Sequence, residues 1–260
     1  LEVLEALKQK GYTPIQGPES AMGLICHDMA MTMLSEDEKL LDAVMNGDAE
    51  GASALKTVFD RMQELYDKGY ISKEVNAEYP EDNYDGAILK FFEGDVPFWV
   101  CDTEKVSGMA KRESKSEAFS ANPFEYEFTF VPMGDNGVYE YAEPWYGFAV
   151  NKDSDEMDYA VEFMRFMARE DELNTLASVK GIPSVTKNSA DTRYANLSKI
   201  EKIEDSAVYD GSIYSFVETY LVNSVNDMIS AQTPDADAAL SHFVNHCVET
   251  VNEMKANGEI

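Results

Sequence analysis

Apolar residues recur at three- and four-residue spacing through much of this chain, with short apolar runs set between. The first twelve residues, LEVLEALKQKGY, place Leu1, Leu4 and Leu7 on one stripe, with Val3 less strictly aligned. That spacing predicts an amphipathic helix, which Gly11 ends as a C-cap residue would. YTPI then reads as a short strand. QGPES reads as a turn into a helix that starts at Glu19 or Ser20. The next helix, AMGLICHDMAMTML, is apolar on most faces, which predicts burial. LSEDEKLLDAVMNGD predicts another helix with a glycine stop. EGASALKTVFDRMQELYDKGYI predicts a long one, with Leu55, Val58, Phe59, Met62 and Leu65 facing the core and Gly69 closing it.

The pattern then changes. GAILKFFEGDVPFWVCDTE predicts a helix over Ile88–Phe92, a tight turn at Glu93–Asp95 and a strand over Val96–Cys101. The strand is a continuous apolar run, the signature of a sheet covered on both faces. FEYEFTFVPM (124–133) and WYGFAVNKDS (145–154) read as further strands. DEMDYAVEFMRFMAREDELNTLA predicts a strong helix, with Ser154 as N-cap and acidic residues in its first turn. KGIPSV reads as extended. Two or three helices finish the chain, the last over ADAALSHFVNHCVETVNEMKANG. Strands alternating with helices make the fold class α/β.

Composition narrows the function. Hydrophobic content of 44% and charged content of 27% are those of a globular protein, and 260 residues allow one large domain or two smaller ones. The net charge of −28 excludes general affinity for nucleic acid, which needs a positive surface. It also suits neutral or cationic ligands, and a monomer is expected. The three cysteines, Cys26, Cys101 and Cys247, form no C-x-x-C pair and no disulfide framework. The chain opens within a helix and without an initiator methionine, so it reads as a fragment. The well-capped last helix reads as the true C-terminus.

Several chemistries are weighed and set aside. His242 and His246 stand four apart on a helix, with Glu249 three further on, and share a face that could hold a metal. With no H-E-x-x-H and no further ligand, a solvated or structural helix face is the preferred reading, so no metal or cofactor is expected. NKDSDEMDYAVE places Asn151, Asp153, Asp155 and Glu162 as in a calcium loop, but Glu156 stands where glycine is required and Asp158 where an apolar residue is expected. There is no G-x-S-x-G, no phosphate loop and no dinucleotide fingerprint. A carboxylate pair for glycoside hydrolysis is not singled out among the 49 acids.

The aromatic positions remain. Trp99 and Trp145 both sit at strand edges beside turns, with Asp102, Glu104, Glu143 and Tyr146 near them in sequence. Aromatic faces beside carboxylates suit a sugar, whose C–H face stacks while its hydroxyls donate to the acids. The competing reading of each tryptophan is core packing.

Four segments in order carry a family resemblance: GYTPI after the first helix, LYDKGYI (65–71), FFEGDVPFWVCDTE (91–104), and EPWYGFAVNKDSDEMDYAVEFMRFMAREDELNTLASVKGIPSVTK (143–187). Together they resemble the bacterial extracellular solute-binding proteins of carbohydrate ABC transporters, the maltose-binding-protein-like group. The order covers nearly the whole chain. Val96-Pro97-Phe98 departs from the small residues usual in that element, and Cys101-Asp102-Thr103 from its glycine-containing turn.

The resemblance implies a type II periplasmic-binding-protein-like fold, a two-lobe clamshell lacking most of the first lobe's N-terminal segment. Residues 1–129 and 183–260 would form the second lobe and 130–182 the returning piece of the first, the least well supported part. It implies capture without covalent chemistry, hence no enzyme, with lobe closure on a sugar and delivery to permease subunits. It implies an extracytoplasmic location, as a cell-surface lipoprotein or in the periplasm. Loops Gln16–Ser20, Trp99–Glu104, Glu143–Gly147 and Gly181–Pro183 would face the cleft. The implied ligand-binding residues are Trp145, Tyr146, Glu143, Trp99, Asp102, Glu104, Glu19 and Gln16. The alternatives are a sugar hydrolase with a carboxylate pair, a binder of a non-sugar solute, and an acidic interaction module with no small ligand.

Overall fold

The computed structural model describes residues 1–17, 19–71, 84–101, 105–128, 149–181, 184–187 and 217–258. Among them, helices dominate and one two-stranded parallel sheet is present. None of the described helices is long and apolar enough to cross a membrane.

Helix α1 (Glu2–Gln9) ends at Lys10, and Gly11 follows at φ +92°, as the sequence predicts. β1 (Ile15–Gln16) leads into α2 (Glu19–Glu36), whose Ile25, Cys26, Ala30, Met31 and Leu34 are buried. α3 (Glu38–Asn46) is capped by the Asp37 carboxylate, which accepts from the Lys39 and Leu40 amides, and Gly47 closes it in the left-handed region. The predicted long helix is in fact stepped. α4 (Ala49–Ala52) and a 3-10 turn (Ser53–Leu55) precede α5 (Lys56–Asp67). Leu55 still meets the core, because the step preserves the facing of its apolar stripe.

One large core joins α2, α3 and α5 to the C-terminal elements: a π-helical turn (Val217–Val222), α11 (Asn223–Ser230) and α12 (Ala236–Asn257). α12 places Ala236, Ala239, Leu240, Phe243, Val244, Cys247 and Val251 on one buried stripe. Phe243 meets Phe59 of α5 with ring centroids 6.0 Å apart. Burial pushes the Cys247 thiol up to about 12. Polar ties fix the register of these helices. Gln63 Oε1 accepts from the Ala236 amide at 3.0 Å, satisfying a donor at the start of α12. Lys56 reaches both Asp60 and Asp237, and Lys255 donates to the Asn46 carbonyl.

A second, smaller core lies behind β2 (Phe98–Trp99). It is built from Ile88, Phe91 and Phe92 on and after α6 (Tyr84–Phe91), Val96, and Met109 of α7 (Lys105–Glu113). Phe119 of α8 (Glu117–Ala121), Phe124, Tyr126 and Phe128 pack against it, mostly edge to face. Two expectations are corrected here. Among the described residues, the strand predicted over Val96–Cys101 pairs at Phe98 and Trp99 alone, and Phe98 is 44% exposed, so it is not the strand covered on both faces that the apolar run predicts. Residues 124–128 form no strand, because their rings fill the gap between α6 and α8 instead of joining a ladder.

The predicted helix after residue 154 is two helices, α9 (Met157–Met167) and α10 (Glu170–Lys180). Ser154 is not the N-cap. Its hydroxyl accepts from the Glu156 amide, forming a turn just before α9. The strand segments at 129–133 and 145–148 lie outside the described residues. Ala149 and Val150 show no strand.

Candidate functional site

The site begins at the parallel pair β1–β2. Ile15 faces Phe98 and Gln16 faces Trp99 in register. The Phe98 amide donates to Pro14 O at 3.0 Å and the Val100 amide to Gln16 O at 2.9 Å. On its other side β1 is held by the Ile15 amide, which donates to Tyr70 O at 3.0 Å, and by a parallel bridge to Ile71. Residues 70 and 71 thus extend the small sheet, a role their place at the end of LYDKGYI does not announce.

Two expected site residues, far apart in sequence, are therefore neighbours. Gln16 is 8% exposed, and its Nε2 donates to Thr13 O at 3.2 Å. Its amide is oriented by the backbone at the strand end. Trp99 is half-buried, resting against Phe91 with ring centroids 6.4 Å apart and planes tilted by 44°. Trp99 thus contributes to the aromatic core, as the packing reading expects, and keeps part of its surface accessible. Phe91 is in turn braced by Phe124 and Tyr126, and the Tyr126 hydroxyl donates to Glu113 at 2.6 Å. In the alternation F-E-Y-E-F the aromatic positions pack on the second core and form no strand.

The turn before β2 is set by charge and by backbone. Gly94 adopts φ +88°, open to glycine at little cost. Lys90 bridges to Glu93 at 2.6 Å and to Asp95 at 3.4 Å. The Glu93 hydrogen bond, with Asp95 adding to it, holds the Lys90 ammonium well above its ordinary range.

After each strand the chain turns into a helix. Glu19 opens α2, and 102–104 connect Cys101 to α7. Asp102, Glu104, Glu143, Trp145 and Tyr146 lie outside the described residues, as do the cleft-loop positions Gly147 and Pro183. On α12, His242 and His246 are brought together with Nε2 atoms 3.2 Å apart. Glu249 does not join them in a ligand set: no group of three potential metal ligands occurs among the described residues. Asn151 Oδ1 accepts from the Asp153 amide in a short turn.

A search of curated proteins returns no match. A family model for bacterial extracellular solute-binding proteins matches residues 1–203, more than three quarters of the chain. The match spans β1, β2 and the helices that follow them, and such a family implies a periplasmic-binding-protein-like fold. On this ground the chain belongs to the bacterial extracellular solute-binding proteins, the extracytoplasmic solute-capturing components of transport systems.

Proposed function

We propose that the chain is the sugar-capturing component of an ABC importer, taking a sugar or oligosaccharide by lobe closure and handing it to a membrane permease. The observation that carries this reading is the in-register pair of Gln16 and Trp99 at the ends of two parallel strands. In open α/β sheets, ligands dock outside the carboxyl ends of the strands. An indole face suits the C–H face of a pyranose, and an amide can both donate to and accept from its hydroxyls.

In this reading Glu19, Asp102 and Glu104 extend the site from the loops after the two strands. Glu143, Trp145 and Tyr146 complete it from the returning segment. Residues 1–129 and 183–260 form one lobe, and 130–182 belong to the other. Support for that division comes from α9, which carries two apolar stripes. Met157, Ala160, Val161, Met164 and Met167 are half-buried, while Tyr159, Phe163 and Phe166 are exposed. A helix apolar on two sides is suited to cover on both. Closure follows from the added contacts that a ligand makes only in the closed form.

The test is a thermal-shift and calorimetric screen of the full-length protein against mono- and oligosaccharides, with amino acids and polyamines as controls. One sugar class is expected to stabilise the protein in a concentration-dependent manner, unchanged after incubation. Trp99→Ala and Trp145→Ala are each expected to weaken that binding by about 1–3 kcal/mol. Stabilisation by polyamines alone would move the assignment to a cationic solute, which the net charge of −28 suits. Consumption of the sugar would point to a hydrolase.

A further inference from the structure

The two histidines of α12 are held in an arrangement that a solvated helix face does not require. His242 and His246 stand one turn apart, and their Nε2 atoms converge to 3.2 Å. Their rings are near perpendicular, with centroids 4.5 Å apart. Each ring is positioned by a different neighbour from the preceding segment. Ser224 of α11 lies 3.3 Å from His242 Nδ1, on the side of the ring away from His246. Tyr220, in the π-helical turn, stacks on His246 with ring centroids 5.4 Å apart and planes only 12° from parallel. π-helical turns are rare and concentrate at functional sites.

We propose that His242 and His246 form a two-imidazole site for a divalent transition-metal ion of the zinc or copper class. The geometry fits the bite of such an ion. With metal–nitrogen bonds of about 2.0–2.1 Å, a nitrogen separation of 3.2 Å subtends about 100–105° at the metal, close to the tetrahedral angle. Imidazole is a suitable ligand for zinc and copper, and a poor one for magnesium and calcium. Ser224 Oγ, accepting from Nδ1–H, would fix the tautomer that leaves Nε2 free for the metal, the usual outer support of a ligating histidine. With no third ligand among the described residues, water fills the remaining positions. The affinity is therefore in the micromolar range and not that of a closed structural zinc site. The strongly negative protein concentrates cations at its surface. The site lies beyond residue 203, outside the segment matched by the family, and it does not rest on the sugar-binding reading.

The proposal is tested on the full chain with the metal alone. Zn2+ calorimetry is expected to show one site, and Cu2+ added at one equivalent to give an electron paramagnetic resonance spectrum with two coupled nitrogens. His242→Asn and His246→Asn should each weaken Zn2+ by roughly 100-fold, and Ser224→Ala by roughly tenfold. An excess of Mg2+ should not compete. The third histidine, His27, is 3% exposed and serves as the internal control, since His27→Asn should leave the metal site intact. Zn2+ binding that survives both α12 variants, competition by Mg2+, or a copper spectrum with oxygen ligands only would overturn the proposal. The copper spectrum decides it on the unaltered protein, whatever the variants do to folding.

Discussion

Helices α5 and α9 are written in much the same pattern and end in opposite surroundings. In α5, Val58, Phe59, Met62 and Leu65 are buried between α2 and α12. In α9 no residue is fully buried, Tyr159 is 77% exposed and Phe163 is 55% exposed. Among the described residues α9 packs against α10, and α10 against α7. A hydrophobic stripe states that a helix needs a partner without naming it. For α5 the partner is α12, nearly two hundred residues later in the chain. For the outer stripe of α9, the described residues supply none.

The sharpest way to break this comparison is to truncate one ring on each side. Phe243→Ala removes a fully buried ring from between α12 and α5, and should cost about 3–5 kcal/mol in denaturant unfolding. Phe163→Ala should cost at most about 0.5 kcal/mol, since little of its contact is lost. Equal costs would show that the α9 face is covered in solution, and the contrast between the two helices would disappear.

A smaller effect probes how the bundle fixes its own register. Gln63→Ala leaves the amide of buried Ala236 without its acceptor, at a cost of about 1–2 kcal/mol. Gln63→Glu keeps an acceptor there but loses the donor to Pro234 O, and should recover most of the stability. A loss that Glu does not rescue would mean that packing, and not the hydrogen bond, is what Gln63 supplies.

The smallest effect concerns α1, which lies between the two cases. It buries no residue, yet it is tied to the bundle by the Tyr70 hydroxyl, which donates to Glu5 at 2.8 Å. Hydrogen bonds from Gln9 and then Tyr70 hold the Glu5 carboxyl below its usual range. A depressed carboxylate stabilises the fold above its unfolded pKa, and that contribution is lost as pH falls through the lowered folded value. Tyr70→Phe should therefore lower the melting temperature near neutrality, and its difference from the parent should narrow in acid. A difference independent of pH would remove Glu5 from the account.

The sequence by itself determined the local elements. Glycine stops at Gly11, Gly47 and Gly69 stand at positive φ, and the apolar stripes of α2, α5 and α12 face the core as their spacing requires. These features act within a few residues, through backbone sterics and side-chain period, so they can be read locally. Tertiary structure decided the rest. Among the described residues it limited the Val96–Cys101 run to a two-residue strand, Phe98–Trp99, paired with Ile15 and Gln16. It turned F-E-Y-E-F into packing rings instead of a ladder, because Phe91, Phe92 and Phe119 offered edges and faces to fill. It brought Gln16 beside Trp99, and Ser224 and Tyr220 beside the two histidines of α12. Apolar period and charge specify what each side chain needs. Which distant group meets that need depends on how the whole chain closes, and no local pattern encodes it.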